Sequence, residues 1–294
     1  LILAAIDIGS NASRLLISET SIYKDGSVDF TKINLVRVPL RLGIDVFDKG
    51  YITDERKENL INTMRAYKML MDVYKVETFR ACATSAMRDA SNGKAIIEEV
   101  YRETGIRIEI ITGQEEANII YETHIAENLA FNKSYLYIDV GGGSTEVTLF
   151  SNNRIIFKES FNIGTIRLLH DKVTQEHWEQ MKLYIKNNIR DYQPVEAIGS
   201  GGNINKIFSI SKRKEGKPLP LELLKDYYKE MSYTTVQERK HLYGFRDDRA
   251  DVIVPALQIY ISIMRWANAD EIYVPKIGLA DGIIKMLYKS RSGS

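Results

Sequence analysis

The chain has little that would suit an oxidising compartment, a membrane or a string of tethered modules. Cys82 is its single cysteine, which excludes an internal disulfide and a cysteine-based zinc site and fits a reducing cytoplasm. The four histidines, His124, His170, His177 and His241, show no metal-binding spacing. Long apolar runs are missing as well. The stretch from Val252 to Ile263 is interrupted by Pro255, Gln258 and Ser262, so no membrane span is expected. The opening run Leu1 to Ile6 is too short for a signal segment and is broken by Asp7. A net charge of +1 argues against a dedicated nucleic-acid coat or a membrane-surface protein, while a local basic groove stays open. No low-complexity linker separates the halves, and the 17 tyrosines form no recognisable stacking platform.

What is present points to two α/β domains. A length of 294 residues is large for one core, and 44% hydrophobic with 27% charged residues is ordinary for a soluble globular protein. Strand patterns near 3–8, 13–19, 28–36, 77–82 and 106–111 alternate with helical patterns near 53–74, 93–103 and 114–128. Thr53 is the expected N-cap of the first of these helices, whose apolar residues Leu60, Met64, Tyr67 and Met71 recur at helical spacing. The second half repeats the order. Strands near 135–140, 145–151 and 154–161 lead to helices near 164–170 and 174–189, then a strand at 195–199. Helices near 219–230, 255–267 and 280–289 and a strand at 271–274 come next, with 211–218 read as a loop. The domains are placed at 1–125 and 126–294, with the last helix allowed to pack back on the first domain and a hinge near 120–134.

The most informative feature is a repeated turn. Asp7-Ile-Gly-Ser-Asn11 and Asp139-Val-Gly-Gly-Gly-Ser-Thr-Glu146 each end one apolar strand and open another. Glycine lets such a turn approach a phosphate closely, and its exposed amides form an anion nest. One such turn alone is as readily a plain hairpin. Two in matching contexts point to a phosphate chain gripped from opposite walls of a cleft. Amides around Gly9, Ser10 and Asn11, and around Gly142, Gly143, Ser144 and Thr145, are the expected phosphate contacts. Asp7, Asp139 and Glu146 beside those phosphates make sense with a cation such as Mg²⁺ between. The duplicated unit is the pattern of the actin-like ATPase superfamily, so the expected fold is two ribonuclease-H-like domains facing across a cleft.

Other segments divide between structure and chemistry. Thr112 and Glu115 have capping-box spacing. Glu116, next along, is either a favourable charge at a helix start or a general base that activates water, and the motif context favours the base. Arg88 offers a planar fork suited to phosphate and is a candidate contact, although its spacing alone favours a solvated helix start. The turn Gly199 to Asn203 opens a helix, an anion-binding position, and places Gly201 and Gly202 among the substrate contacts. Lys206, Lys212, Arg213, Lys214 and Lys217 form either a solvated loop or a polyanion track. Cys82, at a strand end, reads as a core residue.

Together these segments resemble the exopolyphosphatase / guanosine pentaphosphate phosphohydrolase (Ppx/GppA) family. The resemblance runs through 4–11, 83–90, 111–117, 139–146, 161–168 (F-N-I-G-T-I-R-L) and 198–203. It continues through Glu238-Arg239, 249–253 (R-A-D-V-I) and 278–282 (G-L-A-D-G). It implies an Mg²⁺-dependent hydrolase of terminal phosphate with Glu116 as base, and metal- or water-orienting carboxylates at Asp139 and Glu146. It also implies phosphate contacts at Gly9 to Asn11 and Gly141 to Thr145, and a homodimer. Two departures stand out. Ala12 replaces a hydroxyl residue while Arg14, a candidate phosphate contact, keeps the basic end of the motif. Ala280 replaces an arginine in the later segment, which weakens an expected long-chain or nucleotide contact. The extra C-terminal helical domains of larger members are expected to be absent or supplied by a partner chain. The expected substrate is polyphosphate, with guanosine pentaphosphate as the alternative. A kinase or a non-catalytic sensor on the same fold are the readings from other classes.

Overall fold

The computed structural model describes residues 1–124, 133–152, 154–275 and 278–292. The chain forms two compact units, Leu1–Ala126 with Gly278–Ser294, and Glu127–Ile277. The last helix therefore belongs to the first unit, and the second unit ends at Ile277 instead of running to 294. The hinge expected at 120–134 and the helix end expected at 128 fall partly on 125–132, outside the described residues.

The first unit opens with a meander of three strands, β1 (Ile2–Ile8), β2 (Ser13–Ile22) and β3 (Val28–Val38). Helices α1 (Leu42–Lys49) and α2 (Asp54–Val73) precede β4 (Thr78–Ala83). Then come α3 (Ser85–Asp89), α4 (Gly93–Thr104), β5 (Ile108–Ile110) and α5 (Gly113–His124). The sheet order is β3-β2-β1-β4-β5, antiparallel across the meander and parallel from β1 to β4 to β5.

The second unit repeats this plan. Strands β6 (Ser134–Val140), β7 (Thr145–Ser151) and β8 (Arg154–Phe161) form its meander, followed by α6 (Thr165–Leu169) and α7 (Gln175–Ile189). Next are β9 (Val195–Ser200), α8 (Gly202–Ile210), β10 (Leu219–Pro220), α9 (Leu221–Ser232), α10 (Val236–Tyr243), α11 (Asp247–Ala250), α12 (Ile253–Trp266) and β11 (Glu271–Tyr273). Its sheet runs β10-β11-β9-β6-β7-β8. The stretch β8-β7-β6-β9-β11 matches β3-β2-β1-β4-β5 strand for strand, which is the ribonuclease-H-like sheet, and β10 extends its edge.

The central strands read as continuous apolar runs because both faces are covered. Leu3 and Ala5 of β1 pack with Leu16, Cys82, Ile111 and Ile119. Leu279, Ala280, Ile283 and Ile284 of α13 (Leu279–Ser292) complete that cluster. Asp281 caps α13 by accepting from the Gly278 N–H at 2.9 Å and pairs with Lys32 at 2.7 Å. Gly282 lies where a Cβ would sit 2.2 Å from the Ile119 carbonyl oxygen. The G-L-A-D-G segment thus seats α13 against α5. In the second unit the apolar helix α12 buries Ile253, Leu257, Ile259, Ile263 and Met264 in the core.

Some helices escape the sequence reading. Helix α1 starts from Arg41 in the left-handed region (φ 53°) with no side-chain cap. Helix α10 has no buried residue of its own. It is held by a capping box between Thr235 and Glu238 and by Arg239, which donates to the carbonyls of Met231 (2.9 Å), Ala250 (2.8 Å) and Thr234 (2.7 Å). The Glu238-Arg239 pair is therefore a staple for α9, α10 and α11. Thr53 occupies the N-cap position of α2, yet it makes no capping bond, and its hydroxyl donates to Asp45 instead. Burial works to raise the Asp45 pKa, but bonds from Thr53 and Arg56 outweigh it and hold the carboxyl below its ordinary value.

This packing leads to two expected outcomes. Gly282→Ala is expected to lower unfolding free energy by about 1–3 kcal/mol through overpacking against Ile119. Gly278→Ala, with nothing within 4 Å of the added methyl, is expected to be near neutral, and urea denaturation compares the two. Cys82 is fully buried and burial pushes its thiol up to about 12. The native protein is therefore expected to resist a thiol reagent at neutral pH and to react only once unfolded.

Candidate active site

Strands β1, β4 and β5 are parallel, so the loops that leave their C-terminal ends share one edge of the first sheet. That edge carries the first glycine turn, α3 and the start of α5. The turn closes through the Gly9 N–H to the Ala12 carbonyl at 3.0 Å. Its other carbonyls are engaged by the beginning of α1. Ser10 O accepts from the Gly43 N–H at 2.8 Å, and Asn11 O accepts from the Arg41 N–H at 3.0 Å. A trans peptide holds its C=O and N–H on opposite sides. The N–H groups of Asn11 and Ala12 therefore face away from α1.

Side chains around this turn are tied to one another. Asp7 is 4% exposed and accepts from Arg14 Nη1 at 2.6 Å. The Ser10 hydroxyl is buried and pairs with the Ser85 hydroxyl at 2.8 Å, so Ser10 offers its backbone and not its side chain. Arg88 donates to the Ile111 carbonyl at 3.0 Å, which links α3 to the loop ahead of α5. Tyr67, buried near Asp7 and Arg14, has its phenol pushed up to about 12, chiefly by burial.

Thr112 and Glu115 form the capping box. Glu115 accepts from the Thr112 N–H at 2.8 Å, and the Glu115 N–H donates to the Thr112 hydroxyl at 3.1 Å. The Thr112 N–H and hydroxyl hold the Glu115 carboxyl below its ordinary pKa. Glu115 is thus committed to the helix end. Glu116 is half-buried in the same first turn, and one of its carboxylate oxygens is shielded from solvent.

The second unit repeats the device more fully. Its turn closes from the Gly141 N–H to the Ser144 carbonyl at 2.9 Å. The Thr165 N–H donates to Gly141 O at 3.0 Å, and the Ile166 N–H donates to Gly142 O at 2.8 Å. Arg167 Nε donates to Gly143 O at 2.7 Å. By the same planarity, the N–H groups of Gly142, Gly143 and Ser144 face away from α6. Gly164 makes this approach feasible, since a Cβ there would lie 2.4 Å from Gly142 O. The Thr145 hydroxyl is buried and donates to Ile163 O at 2.6 Å, so it too serves the fold.

Asp139 and Glu146 stand opposite each other in the β6–β7 register, with Ser160 next to Glu146 and Ser200 next to Asp139. Glu146 is 4% exposed and accepts from the Ser160 hydroxyl at 2.8 Å. The third turn abuts this row. Gly201 has φ 102°, and a Cβ on it would sit 2.8 Å from Asp139 Oδ1. Only glycine meets both demands. Gly202 opens α8 directly after it. Tyr260 donates to the Ser200 carbonyl, and Arg249 donates to the Asn203 side-chain oxygen. Burial, with the Asp139 charge nearby, raises the Tyr260 phenol well above its ordinary value.

The candidate residues therefore fall into two sets, one per unit. Among the described residues no three acidic, histidine or cysteine side chains are grouped to hold a metal ion. A pair of carboxylates in direct register still suits Mg²⁺, which commonly binds one or two carboxylates and keeps several waters. The residues that lock the turns, Arg41, Gly43, Gly164, Thr165 and Arg167, were not singled out as site residues. Their signal is positional, since each group comes just after the third strand of its meander.

Two ribonuclease-H-like units, each with an aspartate-led glycine turn that presents its amides, define a phosphoryl-handling protein of the actin-like ATPase class. The sequence model of the Ppx/GppA phosphatase family matches residues 21–290, and the chain belongs to that family. It is 32% identical over 230 residues to a bifunctional 3-dehydroquinate synthase/phosphatase of Fusobacterium nucleatum, a match covering 72% of this chain and 34% of that protein. The chain thus spans about a third of that relative's length. It is 22% identical over 302 residues to a putative exopolyphosphatase of Haemophilus influenzae, covering 98% of this chain and 92% of that one. An exopolyphosphatase from Cytophaga hutchinsonii superposes with a TM-score of 0.84 at 26% identity, covering 100% and 98% of the two chains. A Ppx/GppA family member from Aquifex aeolicus superposes at 0.76 and 26% identity, covering 99% and 98%.

Gly164→Ala tests the turn-locking contact. Its φ of −138° suits alanine, so the methyl acts only by pushing α6 off Gly142. Phosphate release is expected to fall about 100-fold, the scale of a small misplacement at a reacting centre, with the far-ultraviolet circular dichroism unchanged.

Proposed function

We propose that this chain is an Mg²⁺-dependent phosphohydrolase that releases terminal phosphate from inorganic polyphosphate. Family membership and the similarity to exopolyphosphatases support this reading, and the amides of Gly142, Gly143 and Ser144, turned away from α6, carry it. Three successive donors with their carbonyls tied back suit the oxygens of a phosphate and cost no reorganisation when charge develops there. The amides of Asn11 and Ala12 offer the same chemistry on the first unit, beside the Arg14 guanidinium. Asp139 and Glu146 would hold Mg²⁺, which offsets phosphate charge when bound. Glu116 takes the proton from the attacking water. Its neighbour Glu115 fixes the helix end, so the base sits on a rigid element. One cysteine and the need for Mg²⁺ suit a cytoplasmic setting.

A second reading keeps the chemistry and changes the substrate to guanosine pentaphosphate. It is favoured by a cavity of about 310 Å³ lined by Asn205, Phe208, Ser209, Arg213 and Glu215. Helix α8 starts at the third turn, and Asn205 and Phe208 lie one to two turns further along it. A lining that combines an aromatic ring with amide, guanidinium and carboxylate groups is chemistry that can serve a purine base.

Phosphate release measured on polyphosphate and guanosine pentaphosphate in parallel decides between them. Polyphosphate is expected to dominate, with activity lost in EDTA and restored by Mg²⁺. Glu116→Gln is expected to lower the rate by about 10²–10⁴-fold with the fold intact. A near wild-type rate in that variant would remove Glu116 from the role, and faster release from the nucleotide would select the second reading.

A further inference from the structure

We infer that Asp7 positions Arg14 and is not a metal ligand, so that the two glycine turns carry opposite charge and separate tasks. This rests on the reading of the turns as phosphate sites. The two turns are equivalent by construction. Each closes from its first glycine to the residue three further on, Gly9 to Ala12 and Gly141 to Ser144. Each starts at an aspartate whose register partner lies seven residues ahead. That partner is Arg14 in the first unit and Glu146 in the second. Sequence motifs alone grouped Asp7 with Asp139 and Glu146 as one carboxylate set.

The register rows show why the grouping does not hold. Across β1, β2 and β3 the row reads Asp7, Arg14, Arg37. Across β6, β7 and β8 it reads Asp139, Glu146, Ser160. Directly opposite side chains in a sheet are neighbours, and like charges there repel. The pair Arg14 and Arg37 therefore calls for anions, and Asp7, 2.6 Å from Arg14, supplies one. A divalent cation on Asp7 would have to displace that guanidinium and sit beside two positive side chains. A phosphate oxygen meets the same row with favourable charge and the planar fork of an arginine. In the second row two carboxylates, Asp139 and Glu146, stand in direct register, an arrangement that suits a divalent cation. The Ser160 hydroxyl donates to Glu146 at 2.8 Å, a contact from a neutral group. The metal therefore belongs to the second row alone, and Asp7 acts through Arg14 on the phosphate.

Two binding measurements without turnover test this. Mn²⁺, as a paramagnetic stand-in for Mg²⁺, is titrated against substrate-free protein by electron paramagnetic resonance. Inorganic tripolyphosphate is titrated in EDTA by calorimetry. Asp7→Asn and Arg14→Met are expected to leave Mn²⁺ affinity unchanged and to weaken tripolyphosphate binding about tenfold, the scale of one charge-assisted contact. Glu146→Gln is expected to do the reverse. Loss of Mn²⁺ affinity in Asp7→Asn comparable with that in Glu146→Gln overturns the inference. If Asp7→Asn does not fold, Arg14→Met decides. Tripolyphosphate affinity unchanged in that variant would overturn the inference, since Asp7 is held to act on the phosphate through Arg14. Wild-type protein that binds Mn²⁺ but no tripolyphosphate would sink the polyphosphate reading while the Mn²⁺ arm still reports on Asp7.

Discussion

A helix start bonded to each glycine turn sets which way the turn's peptide groups face, and the chemistry of both units depends on that. A glycine turn in water has no preferred side for its amides. Once Thr165, Ile166 and Arg167 occupy the carbonyls of Gly141, Gly142 and Gly143, the amides have only one direction left. Arg41 and Gly43 do the same for the first turn. The donors are then fixed before any ligand arrives. Such preorganisation is worth more than the count of hydrogen bonds suggests, because no reorientation accompanies binding. It also explains why glycine is needed at Gly164, outside the turn itself: the close approach happens there.

Around these turns the fold commits many polar residues to position. Ser10 and Ser85 bond each other, Thr145 bonds Ile163, and Arg88 reaches Ile111. Tyr260 and Arg249 pin the third turn through Ser200 and Asn203. Residues of this kind look like substrate contacts in a motif and in space also hold the turns in place. The side chains left to meet a ligand are fewer and more specialised. Duplication gave both units the same scaffold, and two register positions, Arg14 and Arg37 in one and Glu146 and Ser160 in the other, separate their electrostatics.

Much of this was legible in the sequence. The meanders, the duplicated turns and the capping box at Thr112 and Glu115 arise from apolar periodicity, glycine placement and cap spacing, which are local signals. Family membership was legible because its motifs run along the whole chain in order. The features that stayed hidden depend on contacts between distant residues. Helix α1 begins at a left-handed arginine with no cap, and α10 has no apolar stripe, so neither announces itself. The pairing of Asp7 with Arg14 needs the strand register. The Thr53 hydroxyl reads as a cap until Asp45 is seen to take it. Gly282 reads as a motif letter until Ile119 is found beside it.

The chain order of the two units has a consequence for synthesis. The cluster that holds Leu3, Cys82 and Ile119 also needs Leu279, Ile283 and Ile284. A ribosome delivers those residues only after Glu127–Ile277 has emerged. The nested unit can close its own core once Ile277 has emerged, whereas the unit begun first, with all five of its strands already made, must wait for α13 with one flank of its sheet uncovered. The unit begun first is thus the unit completed last, unlike a chain whose amino-terminal domain is finished before the later domains are made.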